Sequence, residues 1–158
     1  LFALIEFEKY GSGYMSHMVH CSNYLGKRLR EKGYDIADIH GQISATHQIF
    51  IRCGKKEMDT IYDNAYKCEV TLNKKHKELF YGYGIRLGTQ EIARYDWNDE
   101  ALDKIAEIVF MLSDTKIKIG EIQQLIEKLP EKKIHYAFNS QEIKRFQQLM
   151  LLKGQKFC

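Results

Sequence analysis

The sequence predicts an α+β domain: a small antiparallel or mixed sheet of about three strands, covered on one face by helices, with extra helices at the C-terminal end. Two observations carry this. The middle of the chain alternates between the two hydrophobic periods in the order strand, helix, strand, strand, helix, with helical patterns before and after. The chain of 158 residues is 44% hydrophobic and 28% charged with a single proline, which is the composition of a folded domain with a core of useful size.

Residues 1–33 read as helix. Tyr14, Met18, Cys21, Leu25 and Leu29 recur at steps of three and four and make one apolar face, while Lys27, Arg28, Arg30, Glu31 and Lys32 take the other. Gly33 supplies a C-terminal stop. Gly11-Ser12-Gly13 predicts a break within this helix. Phe2, Leu4, Ile5 and Phe7 are apolar on more than one side, as in a helix packed against further protein.

Residues 34–44 read as a short strand and a loop. Thr46–Arg52 is rich in β-formers and predicts a strand that Gly54 ends. Met58, Ile61, Tyr62 and Ala65 make a helical stripe over Lys55–Lys67. Glu69–Asn73 alternates and predicts a second strand, Lys74–Tyr83 a loop, and Gly84–Gly88 a third strand. Asp96, Asn98, Asp99 and Glu100 are a helix start signal, followed by the stripe Leu102, Ile105, Val109, Leu112. A further helix is expected from about Lys116 to Leu129, stopped by Pro130. Residues 131–139 are expected to link it to a last helix that Asn139 or Ser140 caps. The division expected is a leading helix over 1–33, a small domain over 34–113 and a helical extension over 114–158.

Charge, cysteines and histidines exclude more than they assign. Residues 1–114 carry 15 basic and 17 acidic side chains, and residues 115–158 carry 9 and 4. The basic lysines of the last third lie within helical patterns without interleaved aromatics, so no nucleic-acid partner is expected. No apolar run is long enough to span a bilayer, so no membrane partner is expected either. The start lacks methionine, a basic lead-in and a cleavage site. It reads as a cut inside a longer protein rather than a signal peptide. Cys21, Cys53, Cys68 and Cys158 form no CxxC pair and are expected to be reduced thiols in a cytoplasmic protein. His17, His20 and Cys21 lie within one and a half helical turns, but the spacing matches no common zinc pattern and no metal is expected. There is no serine–histidine–aspartate arrangement, phosphate-cradling loop or convergent carboxylate pair, so no catalytic residue is assigned within the chain.

One residue stands out. Gly82-Tyr83-Gly84-Ile85-Arg86-Leu87-Gly88 places Arg86 between two large aliphatics with glycines on both sides. In an extended segment Ile85 and Leu87 share one face and Arg86 takes the other. A guanidinium fixed on a strand suits a planar carboxylate or phosphate, which it binds through two parallel hydrogen bonds. Pattern alone favours the plainer reading, an outward arginine that is solvated or salt-bridged.

The run Gly84-Ile85-Arg86-Leu87-Gly88-Thr89-Gln90-Glu91-Ile92-Ala93-Arg94 resembles the C-terminal domain of serine hydroxymethyltransferases, pyridoxal-phosphate enzymes of the aspartate-aminotransferase-like fold. Asn23–Gly33 resembles the family's helix leading into the small domain. Thr46–Ile51 and Glu69–Lys74 resemble its first two strands, and Asp99–Leu112 the helix after the arginine strand. The resemblance covers roughly residues 5–129.

The resemblance implies that Arg86 binds the α-carboxylate of an amino-acid substrate. It also implies that pyridoxal phosphate and its lysine belong to a large domain outside this chain, and that the enzyme is a homodimer. Cofactor-binding residues within the chain are therefore none. Folate-dependent members carry an asparagine where this chain has Lys75, and a proline-containing loop where Lys74–Tyr83 has none. The Gln90-Glu91 continuation is similar to archaeal members, which use a different pterin, or to threonine aldolase and transaldolase relatives, which use none. A stand-alone, non-catalytic binding module of the same fold is the alternative from another class.

Overall fold

The structure is a computed structural model that describes residues 2–78 and 82–154. The described elements are α1 (Phe2–Glu31), β1 (Asp35–Ile36), β2 (Gln48–Arg52), α2 (Lys55–Lys67), β3 (Asn73–Lys77), β4 (Gly82–Gly88), α3 (Gln90–Arg94), α4 (Asp99–Met111), α5 (Ile119–Glu127) and α6 (Ser140–Gly154). The fold is α+β, as expected. The sheet has four strands in the order β1-β2-β4-β3, every neighbouring pair antiparallel.

Strand alternation decides the two faces. Ile49 and Ile51 of β2 stand opposite Leu87 and Ile85 of β4, and all four are buried. On this face they meet Leu25 and Leu29 of α1, Ile61 and Ala65 of α2, and Leu102 and Val109 of α4. Each fully buried aliphatic here stabilises the fold by about 1.5–3 kcal/mol relative to exposure. The other face carries Gln48, Phe50 and Arg52 of β2 and Arg86 of β4, all half-buried.

The structure corrects three details. α1 runs unbroken for 30 residues through Gly11 and Gly13. These glycines are contact points rather than hinges. A Cβ on Gly13 would lie 3.3 Å from the Tyr136 ring, and one on Gly11 would lie 3.0 Å from the Phe7 ring, one turn back. The strand expected at Glu69–Asn73 lies instead at Asn73–Lys77, in what was expected to be loop. Glu69 takes a left-handed φ of 58° at the end of α2, and Val70 N–H donates to Ala65 O at 2.9 Å, so this stretch turns before it extends. Val70 and Leu72 are spent on packing against the core from that turn. The charged run that follows suits an edge strand, where lysines discourage pairing with other chains. The rest of the expected loop, Leu79–Tyr81, lies outside the described residues. Finally, the short helix α3 lies between the arginine strand and the helix start at Asn98, in a stretch to which the sequence assigns no element.

The helix start before α4 is as read. Asn98 Oδ1 accepts from Ala101 N at 3.1 Å, with Asp99 and Glu100 in the first turn. Residues 131–139 run back as a strap toward α1. Trp97 Nε1 donates to Glu131 O at 3.3 Å, His135 N donates to Arg94 O at 2.9 Å, and Phe138 N donates to Glu6 Oε2 at 3.1 Å. Asn139 caps α6, accepting from Gln141 N and Glu142 N. Phe146 of α6 then packs edge-on against Phe2, with ring centroids 5.7 Å apart. Part of the apolar start of α1 is covered in this way; Leu4 and Phe7 remain exposed.

Candidate functional site

Arg86 sits in the middle of β4, which is paired on both sides. Phe50 of β2 is directly across from it on one side and Asn73 of β3 on the other. Side chains directly opposite in an antiparallel ladder lie about 4.5–5.5 Å apart at Cβ and point the same way. Phe50, Arg86 and Asn73 therefore form a row on the face away from the helices. Two residues along in each direction, Gly84 and Gly88 leave that face free of β4 side chains. A ligand can thus approach the guanidinium past backbone rather than past side chains.

The Arg86 side chain is half-buried. Among the described residues its guanidinium is in no ion pair, hydrogen bond or cation–π contact, whereas the neighbouring Arg52 pairs with Asp35 at 3.2 Å. Arg86 is one of the residues lining a groove of about 670 Å³ that takes in His47, Gln48, Asn73, Gln90 and Glu91 and extends along α4 and α5 to Ile105, Val109, Ile126 and Leu129.

Buried polar groups fix the strand's end. Thr89 is fully buried, and its hydroxyl lies 3.2 Å from both Met18 O of α1 and His47 O, to which Thr89 N–H also donates at 2.9 Å. Ser22, also fully buried, donates to Thr46 O at 2.7 Å, and Asn23 Nδ2 donates to Ser44 O at 2.7 Å. Helix α1, the 44–47 loop and the end of β4 are thereby locked together. Buried polar groups held in this way rigidify what they join. A Cβ on Gly88 would lie 2.5 Å from Gln90 Oε1, so the Gln90 side chain folds closely over the strand's exit.

No group of three metal-ligating side chains gathers among the described residues. His20 pairs with Asp99 at 2.7 Å, and His17 lies 3.7 Å from Asp96 and 3.5 Å from Cys21 Sγ. Asp96 also accepts from Tyr136 and lies 3.6 Å from His135, which ties the strap to the turn before α4. Burial pushes the Cys21 thiol up to about 11, helped by Asp99 and Asp96, and burial does the same to Cys53. Neither is poised as a nucleophile. No described helix is long and apolar enough to cross a membrane.

A solved structure of L-threonine transaldolase from Pseudomonas fluorescens shares this fold, with a TM-score of 0.76 and 20% identity over 93% of this chain. Serine hydroxymethyltransferase of Methanobrevibacter smithii is 28% identical over 159 aligned positions, covering 93% of this chain. The resemblance is to serine hydroxymethyltransferase-like enzymes. L-threonine:uridine-5'-aldehyde transaldolase of a Streptomyces species is also 28% identical, over 78% of this chain. No family model matches the chain. The chain spans about a third of the length of these relatives, 36% of the Methanobrevibacter enzyme and 31% of the Streptomyces one.

Asn73 escaped the sequence reading as a neighbour of Arg86, because the strand that carries it was expected to end there. Thr89 was read only as part of the resemblance. Its burial was legible in principle, as a hydroxyl residue closing an apolar strand.

Proposed function

We propose that this chain is the C-terminal domain of a longer pyridoxal-phosphate enzyme acting on glycine or a β-hydroxy amino acid, and that Arg86 binds the substrate's α-carboxylate. The observation that supports this most is the half-buried guanidinium with no partner among the described residues, centred on a rigid strand and open to a groove. A desolvated cation of that kind is costly unless a ligand completes it. A planar fork matches a carboxylate through two hydrogen bonds.

The described residues make no cofactor cradle of their own. Lys132, the one described lysine that lines the groove, is exposed and so is not enclosed as a Schiff-base lysine would be. The cofactor belongs to a large domain outside the chain, where it supplies an electron sink for the bond broken at Cα. Arg86 contributes orientation. Fixing the carboxylate plane sets which Cα bond faces the ring, and so which bond breaks. On this reading residues 1–33 lead from the large domain, 34–113 form the small domain and 114–158 extend it. The enzyme is a cytoplasmic homodimer, and the chain alone is inactive.

The transaldolase names among the relatives favour a second version of the same chemistry, in which an aldehyde replaces a pterin as co-substrate. Exchange of threonine with an added aldehyde in the absence of pterin separates the two. The carboxylate role is tested by Arg86→Lys and Arg86→Ala in the full-length protein. Both should keep the cofactor and lose about 2–4 kcal/mol of amino-acid binding, the worth of a charge-assisted bidentate pair. Unchanged glycine binding in these variants defeats the assignment.

A further inference from the structure

We propose that the strap over residues 131–139 is a positioning element for Arg86. When docked, it fixes the short helix α3 that follows the arginine strand, so strap docking and amino-acid binding favour one another. The inference rests on the reading of Arg86 as the carboxylate clamp.

Only Thr89 separates the end of β4 at Gly88 from the start of α3 at Gln90. That connection has no slack, because Thr89 is fully buried and its hydroxyl lies 3.2 Å from both Met18 O and His47 O. A displacement of α3 is therefore passed to Gly88, two residues from Arg86. α3 spans five residues, far short of the roughly 12–15 at which a helix becomes even marginal in water. Its placement is set by whatever grips its ends.

The strap backs one grip and supplies the other. At the first residue of α3, the half-buried Tyr14 of α1 donates from its hydroxyl to Gln90 O at 3.0 Å. Tyr136 of the strap packs against the Tyr14 ring, with centroids 5.8 Å apart, and lies over Gly13. At the last residue, His135 N–H donates to Arg94 O at 2.9 Å, a carbonyl that the helix itself leaves without a partner. The Arg94 side chain lies 3.6 Å from Glu6, which also accepts from Phe138 N of the strap. The Tyr136 hydroxyl donates to Asp96 in the turn after α3, where Asp96 holds a left-handed φ of 54°. A non-glycine residue keeps such a conformation only where its surroundings hold it. Among the described residues, no hydrogen bond of the strap goes to a strand. They reach α1, α3 and the turn after α3.

An open strap leaves β4 paired but frees its exit. A planar contact through two parallel hydrogen bonds depends on placement, and small displacements weaken it. The amino acid thus binds the docked form more tightly, and by linkage it stabilises docking by the same factor.

The test uses the full-length holoenzyme and two readouts, glycine titration and hydrogen exchange of the 131–139 peptide. Phe138→Ala, which loosens the strap, should weaken glycine binding about fivefold, and Tyr14→Phe, which keeps the ring and loses one grip, about threefold. In the parent, saturating glycine should slow exchange of the strap about fivefold while exchange of α2 stays unchanged. In Arg86→Ala, glycine at the same concentration should no longer slow it. A strap with only a structural role would lower stability in these variants and leave both readouts unmoved. Parent-like glycine affinity in Tyr14→Phe and Phe138→Ala, or strap exchange in the parent that ignores glycine, overturns the proposal. The clamp fails separately, through glycine binding that survives Arg86→Ala, and the glycine affinity of Tyr14→Phe still reports the strap's hold on the site.

Discussion

Asn73 lies directly across the ladder from Arg86, on the face that the helices leave open. Its amide is the polar side chain closest in register to the guanidinium, and it is neutral. Replacing it with a carboxylate should hand Arg86 an internal partner that competes with a substrate carboxylate. Asn73→Asp is expected to weaken amino-acid binding in the full-length protein by about 1.5–3 kcal/mol with little change in thermal stability. Asn73→Ala should cost only about 0.5–1.5 kcal/mol, one ordinary hydrogen bond. Glycine titrations of the two variants check this. Equal losses would mean that charge at position 73 does not matter to the site.

Gly26 of α1 faces Ile43, and a Cβ there would lie 2.6 Å from Ile43 Cγ2. That methyl sits on a branched, stiff side chain, so it cannot swing away cheaply. Gly26→Ala gains helix propensity of about 1 kcal/mol but overpacks the junction at a cost of about 1–3 kcal/mol. A net destabilisation of about 1 kcal/mol is expected from denaturant unfolding. In an Ile43→Ala background the clash is gone, and Gly26→Ala should become neutral or stabilising. The sign change is the outcome to look for; the same cost in both backgrounds would remove the contact as the cause.

Period and punctuation made much of this fold legible before the structure. α2 spans Lys55–Lys67 as read, because its apolar stripe and Gly54 left one solution. Arg86 was placed opposite Ile85 and Leu87 because strand alternation permits nothing else. What was not legible depended on partners distant in sequence. Gly11 and Gly13 signal a break locally, but Tyr136, far along the chain, packs against the continuous helix at Gly13. The strand at Asn73–Lys77 has the composition of a loop and is extended only because β4 offers it a ladder. That Arg86 has no partner among the described residues could not be read at all, since an ion pair on this sheet can come from any strand.

The thiols give a pH signature. Burial holds the neutral form of Cys21 and Cys53, whose thiols are pushed up to about 11. The unfolded chain gives up these protons first, near the ordinary thiol pKa of about 8.5. Unfolding therefore releases protons between those two values. The stability the neutral thiols contribute is full below about pH 8.5 and is lost as pH rises toward 11. Iodoacetamide labelling, read by mass spectrometry of the two peptides, should be about 100-fold slower in native protein than in urea at pH 8. It should also keep rising above pH 9, where a free thiol levels off. Labelling of native Cys21 that levels off near pH 9 would contradict its burial at 0% exposure.

The strap and α6 should come loose without the sheet. Phe138 is buried between Tyr10, at 5.8 Å between ring centroids, and Phe146, at 5.0 Å, with Lys9 over its ring at 5.4 Å. Lys9 also pairs with Glu142 at 2.5 Å, but both ends are at the surface and that pair adds little. Phe138→Ala removes the apolar anchor, at a cost of about 2–4 kcal/mol to the docking of α6. The core behind the sheet is built from other residues, Leu25, Ile49, Ile61, Ile85 and Leu102 among them. Trypsin should then cut after Lys144 and Arg145 at least tenfold faster, following the population of the opened segment. Cys21 should stay protected from iodoacetamide in the same sample. Cleavage within α2 rising in parallel would show that the strap and the sheet unfold as one unit.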